Sequence, residues 1–81
     1  MYYTMADAKR DFRMNHIGFY RLERAAVQLG WFVLFGEGRN NGEKDAYPLV
    51  DARSRQSRLF KTLDAAVAAI EEVGFEVNLL S

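Results

Sequence analysis

The sequence predicts one small α+β domain spanning residues 1 to 81, and three of its features indicate that class. Residues 62 to 74 have helical spacing between a good N-cap residue and a terminal glycine. The apolar segment "WFVLF" lies between Gly30 and Gly36 and has the aromatic, β-branched composition of a buried strand. Nearly half of the residues are apolar, which separates the chain from disordered sequences.

The composition excludes several classes of protein. The chain contains no cysteine, so a disulfide framework, a zinc finger and thiol catalysis are ruled out. No apolar run approaches the roughly 18 residues of a membrane span. The N-terminus "MYYTMADAKRDF" lacks the basic-then-apolar order of a signal peptide. We therefore expect a cytoplasmic protein with no membrane partner and no small-molecule cofactor.

The N-terminal segment predicts a helix near residues 5 to 14. Thr4 and Asp7 have the spacing of a capping box, in which each side chain bonds to the backbone N–H group of the other residue. The apolar residues that follow share one helical face: Met5, Ala8 and Phe12.

A second helix is predicted over residues 18 to 29, where apolar residues form one stripe and Gly30 suits the position that ends a helix. The stripe consists of Phe19, Leu22, Ala26 and Leu29. An alternative interpretation makes the segment "IGFYRL" a strand.

Three strands are predicted in the middle of the chain. The first is "WFVLF", residues 31 to 35, and its two apolar faces place it at the centre of a sheet. The loop "GEGRNNGEKD" then leads to a second strand around Tyr47 to Asp51. Because Pro48 has no N–H group, ordered pairing is expected from Leu49 onwards. After the polar turn "ARSRQS", the segment "RLFK" is a third, short strand.

The C-terminal part predicts a helix followed by a strand. Thr62 is a good N-cap, Asp64 lies near the positive end of the helix dipole, and Gly74 terminates the helix. The apolar positions with helical spacing are Leu63, Ala66, Val67, Ile70 and Val73. After the helix, Phe75, Val77 and Leu79 alternate with polar residues, as in a half-buried strand.

The predicted architecture is thus two N-terminal helices, an antiparallel three-stranded meander, a helix and a final strand parallel to the first. Placing the final strand beside "WFVLF" gives the strand order 3-2-1-4. That order makes the most apolar strand central.

The sequence offers little support for an enzyme. His16 is the only histidine, and a serine triad would have to combine it with Ser54 or Ser57 from a polar turn. The segment "GEGRNNG" does not open a helix, as a phosphate-binding loop must, and is interpreted as a hairpin loop. We expect no catalytic residue and no metal site.

The basic residues are the best functional signal. Arg53, Arg55, Arg58 and Lys61 fall within nine residues, and Arg39 lies in the other hairpin loop. Residues 1 to 61 carry eleven basic and seven acidic residues, a net of +4, whereas the last twenty carry −4. Arginine matches phosphate oxygens, which favours DNA or RNA as a partner. The alternative is an ordinary solvated surface, since the whole chain is neutral with a pI near 6.6.

Two families of nucleic-acid-binding domains share parts of this pattern. The order of one helix, three strands and a helix over residues 19 to 73 resembles double-stranded RNA-binding domains. That family places lysines at the start of its last helix, whereas Thr62, Leu63 and Asp64 follow Lys61 here. The three strands and helix ending in "RLFKTLDAAVAAI" also resemble the arm-type DNA-binding domains of integrases, in which the sheet contacts DNA.

The whole chain, especially "DAKRDFRMNHIGFYRLERAAVQLGWFVLFGEGR" and "YPLVDARSRQSRLFKTLDAAV", resembles small proteins of proteobacterial plasmids and integrative elements. Such proteins are often labelled as replication or maintenance factors, and the resemblance identifies no site. The alternative function is a protein–protein interaction module or a homodimer. Its basis is the large number of aromatic residues, which exceeds what one small core is expected to hide.

Overall fold

A computed structural model describes residues 2–37 and 45–77. Helix α1 spans Met5–Arg13 and helix α2 spans Leu63–Val73. Strands β1, β2 and β3 span Phe19–Arg24, Trp31–Gly36 and Tyr47–Pro48. The strands form one antiparallel sheet in the order β1-β2-β3. The predicted α+β class is therefore confirmed.

The two capped helices are confirmed together with their caps. At α1, Thr4 Oγ1 accepts a hydrogen bond from the N–H of Asp7 at 3.1 Å, and the Asp7 carboxylate accepts one from the N–H of Thr4 at 3.3 Å. At α2, Thr62 Oγ1 accepts from the N–H of Ala65 at 3.1 Å. These bonds satisfy N–H groups that have no partner inside the helix, so local sequence alone sets both starts.

The predicted helix over residues 18 to 29 is wrong, and the alternative strand is correct. All six residues of β1 pair with β2, from Phe19 opposite Gly36 to Arg24 opposite Trp31. The segment contains a helical stripe and also a strand-like alternation, in which Tyr20 and Leu22 are half-buried while Arg21 and Glu23 are exposed. The alternation prevails because it gives β2 a second hydrogen-bonded neighbour.

The central position of the apolar strand is confirmed, since β2 lies between β1 and β3. Val33 and Phe35 are fully buried on the face that packs against both helices. Leu34, on the opposite face, retains 8% of its exposure. Ala8 of α1 and Ile70 of α2 complete the same core cluster, and Lys9 Nζ lies 3.0 Å from Glu72 Oε2 between the helices.

The predicted strand order 3-2-1-4 is not found. β1 occupies the place beside β2 that was assigned to the C-terminal strand. Residues 75–77 form no strand, and Leu79 lies outside the described residues. Phe75 instead packs against the rings of Phe12 and Tyr20, with centroid distances of 4.7 and 5.2 Å. Aromatic packing beneath the sheet thus replaces strand pairing.

The predicted third strand, "RLFK", is reduced to isolated bridges. Phe60 forms an antiparallel bridge with Trp31, and Ser57 forms one with Val50. The N–H of Trp31 donates to the Phe60 carbonyl at 2.8 Å, and the N–H of Phe60 donates to the Trp31 carbonyl at 2.9 Å. The chain therefore meets the start of β2 without running beside it.

Pairing of β3 starts earlier than predicted, at Tyr47 opposite Phe35, and includes Pro48 opposite Leu34. The N–H of Leu49 donates to the Val33 carbonyl at 2.8 Å. Because alternate residues point toward β2, the missing N–H of Pro48 falls on the side away from β2. On that side Tyr3 forms a parallel bridge with Leu49, and its N–H donates to the Pro48 carbonyl at 2.9 Å.

Candidate nucleic-acid interface

The basic cluster is centred on an exposed loop, residues 51–58, which we call the arginine loop. The N–H of Asp51 donates to the Gln56 carbonyl, and the N–H of Arg55 donates to the Asp51 carbonyl, both at 2.9 Å. Asp51 Oδ1 accepts from the N–H groups of Ser54 at 3.0 Å and Arg53 at 2.8 Å. These two bonds, first that from Ser54, lower the pKa of Asp51. The carboxylate therefore stays ionised and holds the turn.

Arg55 is fixed by the N-terminal residues. Its backbone has φ of 62°, the left-handed region that few residues other than glycine and asparagine enter. Its Nη1 donates to the Tyr2 hydroxyl at 2.8 Å, and its guanidinium carbon lies 5.6 Å from the centre of the Tyr2 ring. The ring is placed there because Tyr3, the next residue, is bridged to Leu49 and buried. Tyr2 therefore faces outward.

Two further arginines stack on aromatic rings at the start of β2. The guanidinium carbon of Arg58 lies 4.8 Å from the centre of the Phe60 ring, and that of Arg24 lies 5.4 Å from the centre of the Trp31 ring. Trp31 pairs with Arg24 on one side and with Phe60 on the other. We call the three pairs Arg55–Tyr2, Arg58–Phe60 and Arg24–Trp31 the arginine–aromatic row.

The arginine–aromatic row differs from the ion-paired basic residues of α1 and β1. On α1, Lys9 is paired with Glu72 and Arg10 with Asp7 and Asp11. On β1, Arg21 Nη2 lies 3.2 Å from Glu23 Oε2. Within residues 2–37 and 45–77, no carboxylate forms an ion pair with the three row arginines or with Arg53. Cations that contact rings and face solvent keep their N–H donors available for an external anion.

The structure brings together three of the five predicted site residues, Arg53, Arg55 and Arg58, in the arginine loop. Lys61 is also exposed and immediately precedes the Thr62 cap of α2. Arg39 lies outside the described residues.

Sequence reasoning missed Arg24, Tyr2 and Trp31 as parts of the site. Arg24 was placed on a predicted helix, which hid its position opposite Trp31 in the sheet. The alternative interpretation, in which "IGFYRL" is a strand paired with "WFVLF", could have predicted this contact. No comparable local signal connects Tyr2 to Arg55, because 53 residues separate them in the chain.

An open pocket of about 380 Å³ lies at the start of β1 and is lined by Met14, Asn15, His16 and Glu37. The only histidine of the chain thus lies near one carboxylate. In the described part of the lining no serine or threonine accompanies them, and the described residues contain no group of three potential metal ligands.

No family model, curated protein or solved structure matches this chain. Across the described ranges, no helix has the length and apolar character needed to cross a membrane. Function is therefore inferred from the arginine loop, its aromatic partners and the sheet that holds them.

Proposed function

We propose that the chain is a non-enzymatic domain that binds DNA or RNA, with Arg53, Arg55 and Arg58 contacting phosphate groups. One observation carries the proposal. The arginine loop is exposed, and two of its three arginines are stacked on aromatic rings without a carboxylate partner in the described residues. A third arginine, Arg24, lies over Trp31 at the start of β2, where Trp31 bridges Phe60.

Stacking prepares the guanidinium groups for binding. A cation–π contact with a ring uses none of the N–H hydrogen bonds of the guanidinium, so its remaining donors can form paired hydrogen bonds with phosphate oxygens. The side chain also loses less conformational entropy on binding, because its rotamers are already restricted. For Arg55, the hydrogen bond to Tyr2 adds a second restraint.

The neutral charge of the chain is compatible with this surface. Four acidic residues form ion pairs with basic residues outside the arginine loop: Asp7, Asp11, Glu23 and Glu72 pair with Lys9, Arg10 or Arg21. Asp51, the acidic residue of the loop itself, accepts hydrogen bonds from two loop N–H groups. Asp51 keeps its negative charge beside Arg58 and Arg53, so three arginines and one aspartate leave the loop with a net charge of +2. A local positive charge of this kind attracts a polyanion.

The resemblance of the sequence to proteins of plasmids and integrative elements supports a role as an accessory protein of a mobile genetic element. Proteins of that kind are often labelled as replication or maintenance factors, and such a role agrees with the phosphate-binding proposal.

The test is a salt titration of binding to mixed-sequence DNA and RNA. The variant in which Arg53, Arg55 and Arg58 are all replaced by alanine should bind more weakly, and its dependence of log affinity on log salt should flatten by about 3. Each lost phosphate contact removes roughly one unit of slope, since it no longer releases a counterion.

The matched control replaces Lys9, Arg10 and Arg13 of α1 by alanine, which removes the same formal charge. Lys9 and Arg10 are already paired with carboxylates, so the control should keep most of the wild-type slope. Equal losses in the two variants would mean that net charge alone drives binding. A wild-type chain that binds neither DNA nor RNA at low salt would overturn the proposal.

A further inference from the structure

Within the part of the chain that the structure describes, the outer edge of β1 is open. β1 is the first strand of the sheet and pairs with β2 through all six of its residues. No strand in the described ranges pairs with its other edge. An edge strand of this length presents a row of unpaired N–H and C=O groups, which is a template for another strand.

The register shows which backbone groups point outward. The N–H of Ala25 donates to the Gly30 carbonyl at 3.0 Å, which continues the β1–β2 ladder by one pair. Hydrogen-bonding residues alternate along an antiparallel strand. Phe19, Arg21 and Glu23 therefore direct their backbone groups toward β2, while those of Tyr20, Leu22 and Arg24 point outward. On β2, Trp31 bonds to Phe60 and the Val33 carbonyl accepts from Leu49, so the backbone groups of these two residues point away from β1. The residues between and beyond them point toward β1, in agreement with the alternation on β1.

We propose that a second copy of this chain pairs antiparallel with β1 about a two-fold axis at Leu22. Pairing Leu22 with Leu22 of the second copy joins outward-pointing groups and sets Tyr20 opposite Arg24. Arg21 of each copy then lies directly opposite Glu23 of the other copy. This pair of opposite charges therefore occurs twice, once on each side of the axis. Opposite charges in such cross-strand positions stabilise the pair.

The neighbouring two-fold registers are disfavoured by charge. Moving the axis by one residue toward Phe19 sets Arg21 opposite Arg21 of the second copy. Moving it by one residue toward Arg24 sets Glu23 opposite Glu23. Like charges directly opposite each other are destabilising. These pairs are of the non-hydrogen-bonded type, in which the side chains approach most closely, so the charge pattern selects one register.

Within a single chain, the side chains of β1 already lie on the faces that the proposed pairing requires. Arg21 and Glu23 are exposed on the face opposite the helices and lie 3.2 Å apart within one chain. Across the proposed axis, each of these side chains faces the opposite charge of the second copy. Leu22 and Tyr20 lie on the helix-packed side and contact the core, so pairing would extend the buried layer across the axis.

Exposed apolar side chains near both ends of β1 also favour a second copy of the chain as the partner. Val27 and Leu29, which are 96% and 82% exposed, follow the Arg24 end of β1. Antiparallel pairing brings that end next to the Phe19 end of the second copy, where the open pocket lies. Met14, 55% exposed, lines that pocket. Both ends of the paired strands therefore offer apolar surface that a second copy covers.

This interface shares only Arg24 with the proposed nucleic-acid surface and does not include the arginine loop. The arginine loop lies beyond the opposite edge of β2, next to Leu49 and Tyr2. Pairing through β1 leaves the loop exposed, so failure of one proposal does not decide the other.

Sedimentation velocity over a range of concentrations, without nucleic acid, tests the dimer. Glu23→Arg sets Arg21 against a second positive charge at both symmetric positions and should raise the dimer dissociation constant by at least about tenfold. The double exchange Arg21→Glu with Glu23→Arg restores opposite charges and should restore dimerisation. Glu71→Arg, an exposed position on α2 with the same change of charge, is the control and should leave the dissociation constant unchanged. A wild-type chain that stays monomeric up to about 1 mM overturns the proposal.

Cysteine cross-linking tests the register independently of affinity, since the chain has no natural cysteine. Arg21→Cys and Glu23→Cys chains, differently tagged and mixed under mild oxidation, should form a disulfide-linked heterodimer. Opposed residues of this pair type lie close enough for a disulfide. Each variant alone should cross-link much less. Efficient homodimer cross-linking of Arg21→Cys alone would show that another register is used, and would overturn the one proposed.

Discussion

Tyr3 shows how one residue ties the N-terminus to the sheet. Its side chain is 4% exposed, and its ring meets that of Phe35 edge-on, with centroids 6.0 Å apart. Its N–H donates to the Pro48 carbonyl, and its carbonyl accepts from the N–H of Val50 at 2.7 Å. Burial, and then the nearby charges of Asp11 and Glu37, raise the pKa of the Tyr3 hydroxyl.

We expect the raised pKa of Tyr3 to make the fold sensitive to alkali. The unfolded phenol ionises near its ordinary pKa of about 10, whereas the folded one holds its proton longer. The protonated Tyr3 hydroxyl therefore makes its full contribution to the free energy of unfolding below about pH 10. That contribution is lost as the pH rises through the folded pKa. Urea denaturation at pH 8 and above pH 10 should show a smaller alkaline loss for Tyr3→Phe than for wild type. Val73→Ala, a core substitution that removes no ionisable group, should keep the wild-type loss.

At the scale of elements, α2 depends on how it ends. Gly74 has φ of 139°, and a Cβ atom placed there would lie 2.5 Å from a ring carbon of Phe12. The turn directs Phe75 back under the sheet, where its ring stacks on that of Phe35 at a centroid distance of 6.1 Å. The end of α2 and the aromatic cluster thus depend on the same glycine.

Gly74→Ala should destabilise the fold by more than about 1 kcal/mol, because it combines an unfavourable φ with a clash against Phe12. The measurement is the free energy of unfolding from chemical denaturation. Ala68→Gly, at an exposed position within α2, supplies the reference, since it lowers helix propensity by about 1 kcal/mol without a clash. A smaller loss for Gly74→Ala than for this reference would contradict the expectation.

At the scale of the whole molecule, the sheet is covered by helices on one face. The fully buried side chains of Val33, Phe35, Leu49 and Ile70 form the centre of that layer. A chain of this length buries only about 60% of the surface that it exposes when unfolded. Few residues therefore supply most of the stability.

Ile70→Ala should cost about 2–5 kcal/mol, a large part of the 5–15 kcal/mol typical of a folded domain. The loss has two parts, the transfer of the deleted methyl and methylene groups and the cavity they leave. Glu71→Ala, the exposed neighbour on α2, should change the unfolding free energy by less than about 0.5 kcal/mol. Equal effects at the two positions would show that α2 does not pack on β2 as described.

The sequence by itself determined the α+β class, the two capped helices and the central apolar strand, because caps, helical spacing and a dense aromatic segment act through near neighbours. It also identified the arginine loop, since Arg53, Arg55 and Arg58 are close in the chain. Only the tertiary structure decided that Phe19–Arg24 is a strand and that Tyr2, Phe60 and Trp31 hold the arginines. Helical and extended periodicities coexist in the β1 segment, and contacts between distant residues form only where backbone pairing brings them together.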